Sequence, residues 1–212
     1  MVKPLNDPEN PRFKIMQAAV DLFALKGLEG VTTRDIAKAS GLNISLISYY
    51  FGGKEGLYKT AIQEFAHVMQ ENLDQVLNQF EKKEFTEKLF REQLDVLITN
   101  LIEMRLANPS IAKIFQREEM QGLPFARDVY ESVFMKISVR LSEIIKKGQK
   151  KGLIKKNLKP EFLIWMIFHT VIGYFIAAEC KTNFTEKCFS VPRQKKELKE
   201  HILMVLLEGV CK

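Results

Sequence analysis

TTRDIAKASGLNISLISYYFGGK, residues 32–54, carries the signals of two short helices joined by a tight turn and followed at once by a third. Thr32 is a favourable N-cap, and Asp35 takes the capping-box position three residues on, where Asp is a weaker partner than Glu or Gln. Ile36, Ala37 and Ser40 share one face of the first helix. Gly41 suits the left-handed position after a helix end, Leu42 anchors the turn, and Asn43 is the next N-cap. The second helix is predicted over Ile44–Phe51, and Gly52-Gly53 breaks it. Two helices around a Gly-containing turn make a helix-turn-helix, whose second helix enters the DNA major groove with its N-terminal residues toward the bases.

The second helix has side chains suited to that task. Ile44, Ser45, Leu46 and Ser48 are small or medium in size and lie at or near its front. Tyr49 and Tyr50 have hydroxyls that can donate to phosphates while their rings pack below. Lys54 opens the next helix at a point where an ammonium can reach a phosphate. Phe51 and Leu57 read as core. The alternative for the aromatic run is a small core cluster with no contact to nucleic acid.

The run G-L-N-I-S-L-I-S-Y-Y-F-x-x-K-E-x-L over residues 41–57, preceded by T-x-x-D-I-A from Thr32, resembles the DNA-binding signature of the TetR family of bacterial transcriptional regulators. The close likeness spans about residues 12–60. It implies a homodimer that binds an operator, with an effector pocket in a divergent C-terminal domain. By position it also implies that Thr33 and Arg34 from the first helix reach DNA, with Ile44, Ser45, Leu46, Ser48, Tyr49 and Tyr50 from the second, and then Lys54. Ser48 stands where the family usually has Tyr, and Gly52-Gly53 replaces a more usual polar pair.

At 212 residues with 46% apolar side chains, the chain is long enough for one large or two small domains with a real core. The net charge of +6 permits a polyanionic partner without demanding one. It is not concentrated on the motif: residues 1–53 hold six basic against five acidic side chains, so the DNA reading rests on the motif rather than on charge. The densest basic run is Lys146, Lys147, Lys150, Lys151, Lys155, Lys156 and Lys159, read as a solvated helix end and loop that complements a helix C-terminus. Cys180, Cys188 and Cys211 are odd in number and lack CxxC spacing, which suggests neither a disulfide framework nor a zinc site and fits a reducing cytoplasm. The polar, Pro-containing start MVKPLNDPENPRF does not read as a signal peptide.

Along the chain every periodic segment is helical, and the expected class is all-α, with about nine helices. Residues 1–9 read as a loose arm. Asn10-Pro11 caps a helix that runs to about Lys26, with Ile15, Ala18, Ala19, Leu22 and Phe23 on its apolar stripe. Gly27 ends it, and Leu28 and Val31 tuck beneath the motif. A long helix from Lys54 to about Lys82 draws apolar contacts from Leu57, Ala61, Phe65, Val68, Leu73, Val76 and Phe80. At about 1.5 Å per residue it joins the head to the rest without a flexible linker. Further helices are predicted over about Thr86–Ala107, Ser110–Glu119, Phe125–Lys151, from after Pro160 to Cys180, and over about Lys195–Val210, with a polar loop from Lys181 to Pro192. The domain reading is a three-helix head at 1–53 and a larger helical bundle at 54–212 for dimerisation and ligand binding.

Phe162–Ala178 is apolar almost all round. It is shorter than the roughly 20 residues a membrane span needs, and His169 and Gly173 interrupt it. Burial between its own domain and a partner subunit is preferred, with Leu198, Ile202, Val205, Leu206 and Val210 of the last helix beside it. Two chains then meet in a four-helix bundle through residues near 160–180 and 195–210.

Catalysis finds little support: His67, His169 and His201 fall on separate helices, and no nucleophile elbow, phosphate loop or HExxH occurs. No cofactor or metal is expected. Arg117-Glu118-Glu119 reads as a solvated edge, or else the mouth of a pocket. For a small hydrophobic effector the candidate lining is Leu101, Met104, Phe115, Met120, Phe134, Trp165, Met166 and Phe168, with Arg105, His169 and Tyr174 as polar groups. A solid core without a cavity is the competing reading. The function expected is a sequence-specific DNA-binding regulator, a repressor released from a palindromic operator by a small apolar effector. The alternative class is a helical interaction or membrane-surface protein that does not bind DNA.

Overall fold

Local signals place the first helices. In the computed structural model, which describes residues 9–79, 84–180 and 191–210, the Asn10 side chain accepts from the Arg12 N–H at 2.9 Å and starts α1 (Pro11–Lys26). Gly27, at φ +75°, closes it. Thr32 caps α2 (Thr33–Ser40) with both arms of a capping box: the Thr32 hydroxyl accepts from the Asp35 N–H, and the Asp35 carboxylate accepts from the Thr32 N–H at 2.9 Å. Gly41 takes the left-handed position that the turn requires. The motif's second helix, α3 (Ser45–Phe51), starts one residue later than predicted. Asn43 caps it nonetheless, since its Oδ1 accepts from both the N–H and the hydroxyl of Ser45.

The remaining elements are α4 (Lys54–Asn78), α5 (Glu87–Ala107), α6 (Pro109–Met120), α7, α8 (Pro160–Glu179) and α9 (Val191–Val210). α7 opens at Arg127–Val129, passes through a π-helical turn at Tyr130–Phe134 and continues as Met135–Lys150. No strand occurs among the described residues. α4 ends at Asn78 rather than near Lys82, and Phe80 and Lys82 lie outside the described residues. Val68 points outward, whereas Tyr58, Ile62 and Leu77 are buried in the helix's apolar face. α9 begins at Val191, earlier than predicted, because a proline is tolerated in a first helical turn where its missing N–H is not needed. Of the predicted polar loop, 181–190 lie outside the described residues, as do residues 1–8, Cys188 and Cys211. The side chains of Leu206 and Val210 are likewise outside the description.

The chain divides into two compact units: residues 1–69 with 107–133, and residues 70–106 with 134–212. In the first unit α1 is packed by α2, α3 and α6. Ile15, Phe23, Ile36, Ile47, Leu57 and Ile62 are fully enclosed in it, and Leu28 and Val31 tuck in as expected. Glu118 is not a solvated edge. It is 1% exposed, with one oxygen accepting from the Tyr58 hydroxyl at 3.0 Å and the other from the N–H groups of Phe125 and Ala126. Arg117 beside it donates to the Phe23 carbonyl at 2.7 Å, a second bond to the oxygen that already accepts from the Gly27 N–H at the end of α1. Sequence reasoning placed this triplet outside because three consecutive charges carry no periodic phase.

In the second unit α8 packs against α7 and α9. Gly148 has no room for a side chain: a Cβ there would stand 2.5 Å from Cδ1 of Ile154, which is itself fully buried. Ion pairs tie α9 to α5, Lys195 to Glu103 at 2.6 Å and Lys199 to Asp95 at 2.9 Å. Arg140 pairs with Asp74.

Candidate nucleic-acid interface

The packing of α3 decides which of its residues are offered to a partner. Ile47 and Phe51 turn inward and anchor the helix. Arg12 lies over the Phe51 ring at 5.1 Å, and its guanidinium is paired with Glu64, which fixes the inner side. The opposite side is left outside: Ile44, Ser45 and Ser48 are exposed, Tyr49 is 79% exposed and Tyr50 37%, and Leu46 is half-buried at the rim. The two tyrosine rings meet edge to face at 5.0 Å, so the aromatic run is not a core cluster except at Phe51. On α2, Arg34 is exposed and Thr33 half-buried.

Two further features shape this surface. α3 holds no charged side chain, so this surface is one of hydroxyls, aromatic rings and aliphatic groups. Lys54 is half-buried, and its ammonium donates to the Leu28 carbonyl at 2.9 Å. An ammonium has three donors, so this bond steers the side chain and leaves two N–H groups for another acceptor. Asp35 has its carboxyl held below the usual carboxylate range, chiefly by the Thr32 hydroxyl and then by the Thr32 N–H. That keeps the capping carboxylate ionised.

The candidate effector residues are scattered. Phe115 and Met120 belong to the first unit; Leu101, Met104, Arg105, Phe134, Trp165, Met166, His169 and Tyr174 belong to the second. Met120 is 81% exposed and Trp165 65%, and Met166 is also exposed. Arg105 pairs with Glu179 at 2.6 Å beneath the face of Phe175. His169 donates from Nδ1 to the Trp165 carbonyl and stacks on the Trp165 ring at 3.4 Å. Tyr174 stands edge-on to Phe175.

A small cavity of about 30 Å³ lies elsewhere, wholly inside the second unit. Leu77 of α4, Phe90, Leu94 and Leu97 of α5, Leu141 of α7 and Phe168 of α8 contribute to its wall, and Phe168 is the one residue that the sequence had nominated. Gln93 lines it too, and sequence reasoning missed it. The signal was present: Gln93 lies midway between Leu89 and Leu97 on the buried stripe of α5, a polar interruption at an inward position.

Comparison with known proteins bears on both units. The sequence model described as "Bacterial regulatory proteins, tetR family" matches residues 15–61. That of "Tetracyclin repressor-like, C-terminal domain" matches residues 91–206. The chain is 28% identical over 151 residues to the "Probable HTH-type transcriptional regulator YttP" of Bacillus subtilis (strain 168), covering 71% of this chain and 70% of that protein. Its fold is similar to that of the ketosteroid transcriptional regulator KstR2 of Mycobacterium tuberculosis, with TM-score 0.73, 16% identity and 97% of each chain covered. It is also similar to the transcriptional regulator FadR from Bacillus subtilis in complex with stearoyl-CoA, with TM-score 0.68, 22% identity, and 92% of this chain and 97% of that one covered.

Proposed function

The chain belongs to the TetR family of bacterial transcriptional regulators, whose members bind DNA operators and act as dimers, and from that premise we propose that it is a cytoplasmic repressor which binds a palindromic operator as a homodimer and leaves it when a small apolar effector binds. The observation that carries the reading is the two-sided α3, with Ile47 and Phe51 fastened inside and Ile44, Ser45, Ser48, Tyr49 and Tyr50 presented outward. In this reading residues 1–53 form the DNA-reading head and residues 54–212 serve dimerisation and ligand binding. Tyr49, Tyr50 and Lys54 hold phosphates. Thr33, Arg34, Ile44, Ser45, Leu46 and Ser48 approach the bases. With no charge on α3, base reading falls to hydroxyl hydrogen bonds and to contacts of Ile44 and Leu46 with thymine methyls.

Dimerisation is assigned to α8 and α9. The α8 helix is the one described helix long and apolar enough to cross a membrane, yet only 28% of its most apolar 18-residue stretch is buried within the chain. Phe162, Trp165 and Met166 on α8 are exposed, as are Met204 and Val205 on α9. A second copy supplies an apolar cover of the same kind, through a two-fold contact.

The effector class is drawn from the apolar interior of the second unit and from the ligand and the ketosteroid named for the similar structures. The α4 helix supplies residues to both units without a break, so a ligand that moves its C-terminal half changes the spacing of the two recognition helices. Release requires the effector to favour the DNA-free state by a few kcal/mol. The test is selection of bound sequences from random duplex DNA followed by footprinting. A palindrome with half-sites about 34 Å apart, or a multiple of that, is expected. Protection of a single asymmetric half-site by a monomer would refute the reading.

A further inference from the structure

We propose that the ligand of the second unit is an apolar molecule carrying one hydrogen-bond donor, a hydroxyl or N–H, and that Gln93 Oε1 is the acceptor that selects it. This deepens the effector reading and rests on it for its regulatory consequence. Gln93 is 8% exposed, and its Oε1 is the one buried side-chain N or O atom among the described residues without a hydrogen-bond partner. It lines the small cavity together with leucine, isoleucine and phenylalanine side chains from four helices. A buried acceptor left unmatched costs stability, and such groups are rare in folded proteins.

A bound water is the simplest partner for it, and the cavity of about 30 Å³ is large enough for one. A buried water, however, needs two to four polar partners, and Gln93 is the only polar residue of the lining among the described residues. Water is therefore poorly held. A molecule with an apolar body and a single donating group satisfies both the wall and the amide. A carboxylate or phosphate head is disfavoured at this point, because the lining holds no cation among the described residues and the unpartnered atom, Oε1, is an acceptor. The cavity must widen to admit such a ligand. Leu77 on α4 is part of its wall, which joins the site to the helix shared by both units.

The test uses the full chain and two isomeric probes, 1-hexanol and methyl pentyl ether, which share an atomic composition but of which only the alcohol donates. Calorimetric titration should show the alcohol bound about tenfold more tightly by the wild-type protein. In Gln93→Met that preference should vanish, and the melting temperature of the unliganded chain should rise because an unmatched amide has been replaced by an apolar group of similar length. Equal affinities in the wild type, binding of neither probe, or a preference that survives in Gln93→Met would overturn the proposal. So would a fall in the melting temperature, which would mean that the amide has a partner in solution. If Gln93→Met does not fold, the wild-type comparison alone decides. None of these measurements uses DNA. Discrimination by Gln93 without operator release would sink the effector reading and leave the site intact; operator release by a ligand that ignores Gln93 would do the reverse.

Discussion

At the scale of single residues, Lys54 and Leu46 divide the work of DNA binding. The ammonium of Lys54 is steered by the Leu28 carbonyl and keeps two donors for a phosphate. Lys54→Ala should weaken binding to every sequence and reduce the salt slope by about one counterion, measured by titration at several salt concentrations. Leu46→Ala should leave the slope alone and relax preference at one base pair, costing about 1 kcal/mol there. Tyr58 poses a different question. Burial first, then the charge of Glu118 and the hydrogen bond to it, raise the Tyr58 hydroxyl above its ordinary pKa of 10.0. A raised pKa means that the folded chain holds this proton more firmly than the unfolded one. The stabilisation is complete below about pH 10 and is lost as pH rises through the folded value. The wild-type melting temperature should therefore fall more steeply above pH 10 than that of Tyr58→Phe. At neutral pH the variant should be less stable by about 1–3 kcal/mol for the lost bond to a buried carboxylate. Parallel pH profiles for the two proteins would contradict this account.

Among the elements, caps and breaks were legible because their causes are local. Asn10, Thr32 and Asn43 satisfy backbone N–H groups within three residues of themselves, and Gly41 answers a backbone angle at its own position. The π-helical turn at Tyr130–Phe134 had no such cue, and nothing in residues 130–134 announces it. Gly148 carries no signal of its own in the sequence beyond its place in a helix between lysines. Its reason lies in Ile154, which comes back over the helix end and occupies the space a side chain would need. Because Ile154 is fully buried it cannot easily give way, and Gly148→Ala should destabilise the chain by about 1–3 kcal/mol in chemical denaturation despite the better helix propensity of alanine. A gain in stability would show that the loop after α7 yields.

For the molecule as a whole, α8 is the element through which the proposed assembly acts. Trp165 is exposed and stacked on His169, in a helix that is apolar on nearly every side. Trp165→Glu should convert the dimer to a monomer in analytical ultracentrifugation. It should also lower operator affinity, since a monomer loses the second half-site and with it the gain from linking two contacts. The isolated chain should keep its helical circular dichroism, because the substituted side chain lies outside its own core. A dimer that survived with unchanged operator affinity would place the contact elsewhere.

The amino-acid sequence by itself determined the helix-turn-helix, the all-α class and the outward residues of α3. Each depends on capping, glycine angles and periodicity over a few neighbouring positions. Tertiary structure alone decided the rest. It buried Glu118 under Tyr58, tied Lys54 to Leu28, and turned Trp165 and Met166 outward while Ile164 and Ile167 faced in. The α8 helix shows why: with apolar residues on every face, its pattern has no phase from which to read an inner side. For the same reason the nominated effector residues scattered while the cavity formed around Gln93. Where side chains from four helices meet is set by packing over long sequence separations, and residue type records only that each is apolar.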